Sequence, residues 1–163
     1  MRKTLCKSAL AAALAVGLSL PVWSEVKVVL TASRIVKVDG SEKREPGDKA
    51  KPGDVIEYVA DYKNVPDEKS KGAVSHVNAN LPVPNGMQYL PGTAVPANVM
   101  ATTDGVNFAP VPLKRNVKGA DGKMKEELVP YSEYKALRWD LGEIGPGASK
   151  QVKARMQVKT QGK

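Results

Sequence analysis

Acid–base, nucleophilic and metal chemistry each need two or three reactive side chains brought together. The residues able to supply them are few in this chain. There is one histidine, His76, and one cysteine, Cys6. A metal site or catalytic triad built on His76 needs partners, and no second histidine exists to provide them. His76 reads instead as a solvated residue on the outward face of a strand. The neighbouring carboxylates Glu126 and Glu127 can act as acid and base only where an apolar wall raises the pKa of one of them; in their polar stretch they read as loop charge. Asp39, Asp104 and Asp121 each precede a glycine. Calcium takes several oxygens from one or two loops, and no D-x-D-x-D pattern occurs, so these pairs read as turns. No glycine-rich phosphate loop and no G-x-S-x-G elbow is present. The inventory argues against most catalysis, and neither cofactor nor metal is expected.

Binding has more to work with. Tyr131 and Tyr134 are placed to stack on sugars, with Lys114 and Arg115 in the same irregular region. Lys153, Arg155 and Lys159 form an outward basic stripe that suits an anionic partner. Lysines on a strand face also guard a sheet edge against pairing, and that reading competes.

Those residues must be positioned by something, and the chain is long enough for one domain. Met1 to Lys7 is a short basic head, Ser8 to Leu20 an apolar run, and Val22 and Ser24 occupy the −3 and −1 positions of a cut before Glu25. This is the pattern of a bacterial secretory leader over residues 1–24. The apolar run is shorter than the ~20 residues of a spanning helix, and Cys6 precedes it, which argues against a lipoprotein anchor. The whole chain carries +8; without Arg2, Lys3 and Lys7 it keeps 22 basic and 17 acidic residues, or +5. No cysteine lies beyond residue 24, so disulfides and thiol chemistry are not expected in the exported part. A mild basic excess reads as a solvated surface, and nucleic acid is not an expected partner.

Residues 25–159 read as a succession of strands, followed by a polar tail at 160–163. Glu25 to Val38 alternates as one long strand, bulged near Ala32-Ser33. Ser41 to Pro52 reads as a charged loop with two Pro-Gly-Asp turns. In Val55 to Asn64, Ile56, Tyr58, Ala60 and Tyr62 share one face and Glu57, Asp61 and Lys63 the other. In Ala73 to Leu81, Ser75, Val77, Ala79 and Leu81 face inward. Met87 to Leu90 is a short strand. A hairpin turns at Asp104-Gly105, and residues 110–134 fit either a two-stranded excursion or a mobile loop. Ala136 to Val158 gives two strands around Gly145-Pro146-Gly147, with Leu137, Trp139 and Leu141 on one face of the first. Trp139, supported by Leu137, Leu141, Tyr58 and Tyr62, is the expected centre of the core. No helical period longer than ten residues appears after the leader. The expected fold is all-β, an immunoglobulin-like sandwich of about seven to nine strands.

Three segments carry a family likeness. Pro52-Gly53-Asp54-Val55-Ile56-Glu57-Tyr58, ending at Asn64, resembles the opening of the domain-of-unknown-function-11 repeats of bacterial and archaeal envelope proteins. Leu81-Pro82, Gly86-Met87-Gln88-Tyr89 and Gly92-Thr93-Ala94 are similar to that family's second segment, and Trp139 through Ser149 to its third. The likeness spans roughly residues 50–159. Ala79 stands where the family usually carries an acid, and residues 95–135 make a longer connection than is usual. The resemblance implies an immunoglobulin-like sandwich used as a structural or adhesive module. The expected role is therefore non-enzymatic: an exported interaction or structural domain of the cell envelope, secreted or periplasmic. Its partner would be another envelope protein or, alternatively, a carbohydrate or anionic cell-wall polymer. The 95–135 region is the expected contact surface, because function concentrates on loops held by a rigid sheet.

Overall fold

Period-two alternation places one face of a strand in a core and the other in water. In the computed structural model, which describes residues 25–66 and 71–160, eleven strands form on that basis. They are β1 (Glu25–Val38), β2 (Ser41–Pro46), β3 (Val55–Val65), β4 (Val74–Pro82), β5 (Met87–Tyr89), β6 (Met100–Thr102), β7 (Ala109–Pro110), β8 (Lys114–Lys118), β9 (Met124–Leu128), β10 (Ala136–Ile144) and β11 (Ser149–Val158). Two short 3-10 turns, Gly47–Lys49 and Tyr131–Glu133, are the helical elements among the described residues. None of these is long and apolar enough to cross a membrane. The expected leader, 1–24, and positions 161–163 of the expected tail lie outside the described residues.

Two antiparallel sheets share one core. The first runs β2-β1-β3-β11-β5, the second β4-β10-β6-β7. Trp139 is 1% exposed, and its indole Nε1 donates to the Pro96 carbonyl at 2.7 Å. Leu137, Leu141 and Tyr62 are buried around it with Ile56, Val152 and Met156. Tyr58 is half-buried at the margin, its hydroxyl donating to Met87 Sδ at 3.3 Å. The architecture is an all-β sandwich.

Several local expectations change. The count is eleven strands rather than seven to nine, because segments read as loops pair. Ser41–Pro46 is a strand: it folds back at Asp39-Gly40 and pairs with Ser33 to Val38. Its charges gave it the look of a loop, but edge strands tolerate charge on both faces. No bulge interrupts β1, whose register with β3 is unbroken from Glu25–Val65 to Ile35–Val55. The irregularity lies instead between β4 and β10, around Leu141-Gly142 and Ser75-His76. His76 takes φ 57° there, which turns Ser75 outward to solvent rather than into the core. The hairpin at Asp104-Gly105 forms with a longer loop than read, pairing Met100 with Pro110 and Ala101 with Ala109.

The strands around Gly145-Pro146-Gly147 do not pair with each other. β10 belongs to one sheet and β11 to the other, so the turn is a corner that carries the chain across the sandwich. Asn64, fully buried at the end of β3, clamps that corner. Its Nδ2 donates to the carbonyls of Ile144 and Gly72, both at 3.0 Å; its own N–H donates to Ala148 O, and its carbonyl accepts from Gly147 N–H. The turn's carbonyls answer the buried Nδ2, while the buried Oδ1 has no partner among the described residues.

Candidate functional site

The excursion between β7 and β10 is a two-stranded hairpin, β8–β9, in register from Lys114–Leu128 to Lys118–Met124. It pairs with neither main sheet. Its base is held where Leu113 and Val129 are buried and the Val129 N–H donates to the Leu113 carbonyl at 2.9 Å. Beyond that point nearly every residue is exposed, with Val117 half-buried. A free-standing hairpin of this length is marginal in water, and cross-strand ion pairs along it support the register. Lys114 meets Glu126 at 2.7 Å; Arg115 meets Glu127 at 3.1 Å and Glu133 at 2.9 Å. Lys114 and Arg115 are thus engaged within the chain, and Glu126-Glu127 are their exposed partners, with no apolar wall around them. At the tip, Lys118 and Lys123 point to solvent, and Met124 and Leu128 expose apolar surface lower down.

The two tyrosines expected to stack on sugars are packed into the base of this region. Tyr134 is buried, and its hydroxyl accepts the Leu113 N–H at 2.8 Å. Tyr89 stacks on it with centroids 6.2 Å apart, and Tyr131, half-buried, meets both rings edge-on at 5.9 and 5.3 Å. Burial raises the Tyr134 and Tyr89 hydroxyls above the usual phenol value. A ligand has no access to the Tyr134 face in this packing; the cluster anchors the hairpin to the sandwich.

Arg155, at the centre of the basic stripe on β11, is likewise engaged internally. Glu57 lies on the outer face of β3, yet it is only 3% exposed. Arg44 donates to its Oε1 at 2.7 Å and Arg155 to its Oε2 at 3.1 Å. Arg155 also makes a two-pronged contact with Glu42, at 2.7 and 2.8 Å. Burial by itself would raise the Glu57 pKa; the two guanidinium hydrogen bonds outweigh it and hold the carboxyl below its usual value. The Glu42 hydrogen bonds raise Arg155 well above its normal value. Lys153 is half-exposed beside Val95, with which it exchanges backbone hydrogen bonds. β11 is no edge, since β3 flanks one side and β5 and Val95 the other, so the stripe does not guard one. Nothing local in the sequence marks the roles of Glu42, Arg44 and Glu57. Glu57 and Arg155 become neighbours only when β3 and β11 pair, 98 residues apart in the chain.

The remaining reactive groups are structural or solvated. Asp104 accepts the backbone N–H groups of Val106 and Asn107 at 2.7 and 2.8 Å and the Thr102 hydroxyl at 2.8 Å. Those bonds, with the Asn107 amide, hold its carboxyl far below the ordinary range. His76 is exposed at the β4 irregularity. Among the described residues no group of three or more His, Cys, Asp or Glu side chains could hold a metal ion. A cleft of about 400 Å3 lies between Pro84, Gly86, Tyr134 and Lys159, but the Lys159 ammonium is already bonded to the Ser132 carbonyl at 2.9 Å. The chain is a β-sandwich bearing one projecting hairpin. No family model matches it, and no similar curated protein or solved structure is found.

Proposed function

We propose that the chain is an exported, non-enzymatic module of the bacterial cell envelope, with an immunoglobulin-like sandwich akin to the domain-of-unknown-function-11 repeats, and that it presents β8–β9 to a protein partner. The observation that carries this reading is the hairpin itself. It adds exposed apolar and charged surface, stands outside both sheets, and contributes no core residue beyond its base at Leu113 and Val129. Exposed apolar surface rimmed by charge marks an interaction site. The leader pattern supports export, and the absence of a convergent reactive set among the described side chains supports a binding role. The test replaces residues 114–128 with Asn-Gly, which the short Leu113–Val129 contact permits. The variant is expected to stay folded by circular dichroism and to lose the capture of the partner that the parent shows in envelope crosslinking from a probe at Ser132, which is exposed beside the hairpin base and present in both chains. A folded variant that captures as before rejects the reading.

A second reading rests on Lys118 and Lys123 at the hairpin tip, which have no ion-pair partner among the described residues. They suit an anionic cell-wall polymer. Sedimentation with purified wall material separates the two, because binding through exposed charge fades as salt rises.

A further inference from the structure

We propose that the first strand carries a second interaction surface, independent of the hairpin, and that its occupant is another copy of this chain: two molecules pair antiparallel through Glu25–Thr31, centred on Val28. β1 is flanked by β3 along Glu25 to Ile35, but β2 covers its other side only from Ser33 onward. β2 cannot continue. Pro46 ends it opposite Ser33, and the chain leaves through the Gly47–Lys49 turn, packed so closely that a Cβ at Gly47 would stand 3.0 Å from the Ala32 carbonyl oxygen. Among the described residues nothing pairs with the other side of the seven residues Glu25 to Thr31, which present an open edge. Long open edges with apolar side chains are templates for pairing. One face of this edge, Val26, Val28 and Leu30, is apolar and the other carries Val29 between Lys27 and Thr31; Val28 and Val29 are 50% exposed and Leu30 54%. Val28 and Leu30 share a face with buried Tyr62 and Ala60, their partners on β3. The second sheet does not reach over them.

Length, charge and face together fix the register of the self-pairing. A two-fold axis normal to the sheet brings like faces together, so residues i and j oppose one another only when their sum is even. Centred on Val28, all seven residues of each copy pair, and neither copy runs into the Pro46-Gly47 turn of the other. Val26 then faces Leu30, Lys27 faces Val29, and Glu25 faces Thr31, with no like charges directly opposed. Centring on Lys27 opposes two lysines. Centring on Val29 drives Glu25 and Val26 against the turn. Glu25 and Lys27 cancel within the edge, so the pairing escapes the repulsion of an otherwise basic chain. The two floors of Val26, Val28 and Leu30 join into one apolar strip. The area of a single strand pair falls below the ~1,200 Å2 of standard interfaces, so the dimer is concentration-dependent.

The chain after residue 24 has no cysteine, which makes single-cysteine variants clean. The test uses the full chain with Cys6→Ser, as recovered from cells, carrying Val28→Cys, Lys27→Cys, Val29→Cys or, on the β4 edge, Asn78→Cys. Directly opposed Cα atoms lie about 4.5–5.5 Å apart, within disulfide reach, whereas diagonal positions lie near 7–8 Å. Val28→Cys is expected to form homodimers at least tenfold faster than the other three. In a cysteine-free background, Leu30→Lys is expected to raise the dimer dissociation constant in sedimentation equilibrium at least tenfold. Crosslinking at Val28→Cys no faster than at Asn78→Cys overturns the proposal. So does a monomer in which the thiol at position 28 is shielded from reagent, because the chain's own residues then cover the edge.

Discussion

At the scale of single residues, Trp139 and Glu57 are held in place by opposite physics. Trp139 contributes area and one indole hydrogen bond in a space filled from both sheets. Trp139→Ala removes the transfer energy and leaves a cavity, so a loss of about 3–5 kcal/mol is expected in urea denaturation. In a chain that starts at Glu25 and so lacks Trp23, Trp139 is the one tryptophan, and its emission is expected to be blue-shifted. Glu57 instead contributes a carboxylate that two guanidinium groups answer. Glu57→Gln leaves Arg44 without its ion pair and is expected to cost about 2 kcal/mol at neutral pH. Because folding lowers the Glu57 pKa, its contribution is present above the ordinary carboxylate value of 4.5 and is lost as pH falls through the folded value. Wild type and variant are therefore expected to converge in stability in the acid range, measured by chemical denaturation from pH 7 downward. A difference that persists unchanged at low pH would show that geometry, not charge, makes the contribution.

Among the elements, the β8–β9 hairpin and its tyrosine base behave as separate layers. The base is buried and coupled: Tyr134, Tyr131 and Tyr89 pack ring against ring, and Tyr134 satisfies the Leu113 N–H. Tyr134→Phe strands that buried donor, so a loss of about 1–3 kcal/mol is expected. The hairpin above is exposed, and Met124→Ser or Leu128→Ser is expected to stay within about 0.5 kcal/mol of the parent in thermal or urea unfolding. The contrast in stability cost between base and arm is what the interaction reading needs. A strongly destabilising arm substitution would move the hairpin from display to structure.

The whole molecule is a basic sandwich in which arginines carry most of the ion pairs. Glu57, Glu42, Asp54 and Asp104 all have carboxyls lowered by folding: in the first two the arginine hydrogen bonds act against burial, in Asp54 the Lys51 N–H leads, and in Asp104 the Val106 N–H leads. Each group binds its proton more readily in the unfolded chain, so stability is expected to be level through the neutral range. It should then fall steadily as pH drops below about 4, where unfolded carboxylates of this kind protonate first. Thermal unfolding followed from pH 7 to 2 measures it. A maximum on the acid side would reverse the sign and sink the account.

Alternation alone made the buried faces of β3, β10 and β11 legible, with Trp139 at their meeting point, because a period of two leaves little choice of which side meets the core. Turn chemistry at Asp39-Gly40, Asp104-Gly105 and Asp121-Gly122 marked where the chain reverses, since φ above zero suits few residues. Pairing was not legible in the same way. Whether Ser41–Pro46 joins β1, whether the Gly145-Pro146-Gly147 turn joins two strands of one sheet or of two, and whether Arg155 meets solvent or Glu57 are decided between residues far apart in the chain. Local composition says which surfaces a strand can bury. Only the assembled sheets decide which neighbours it meets, which of its charges are answered, and which edge is left open.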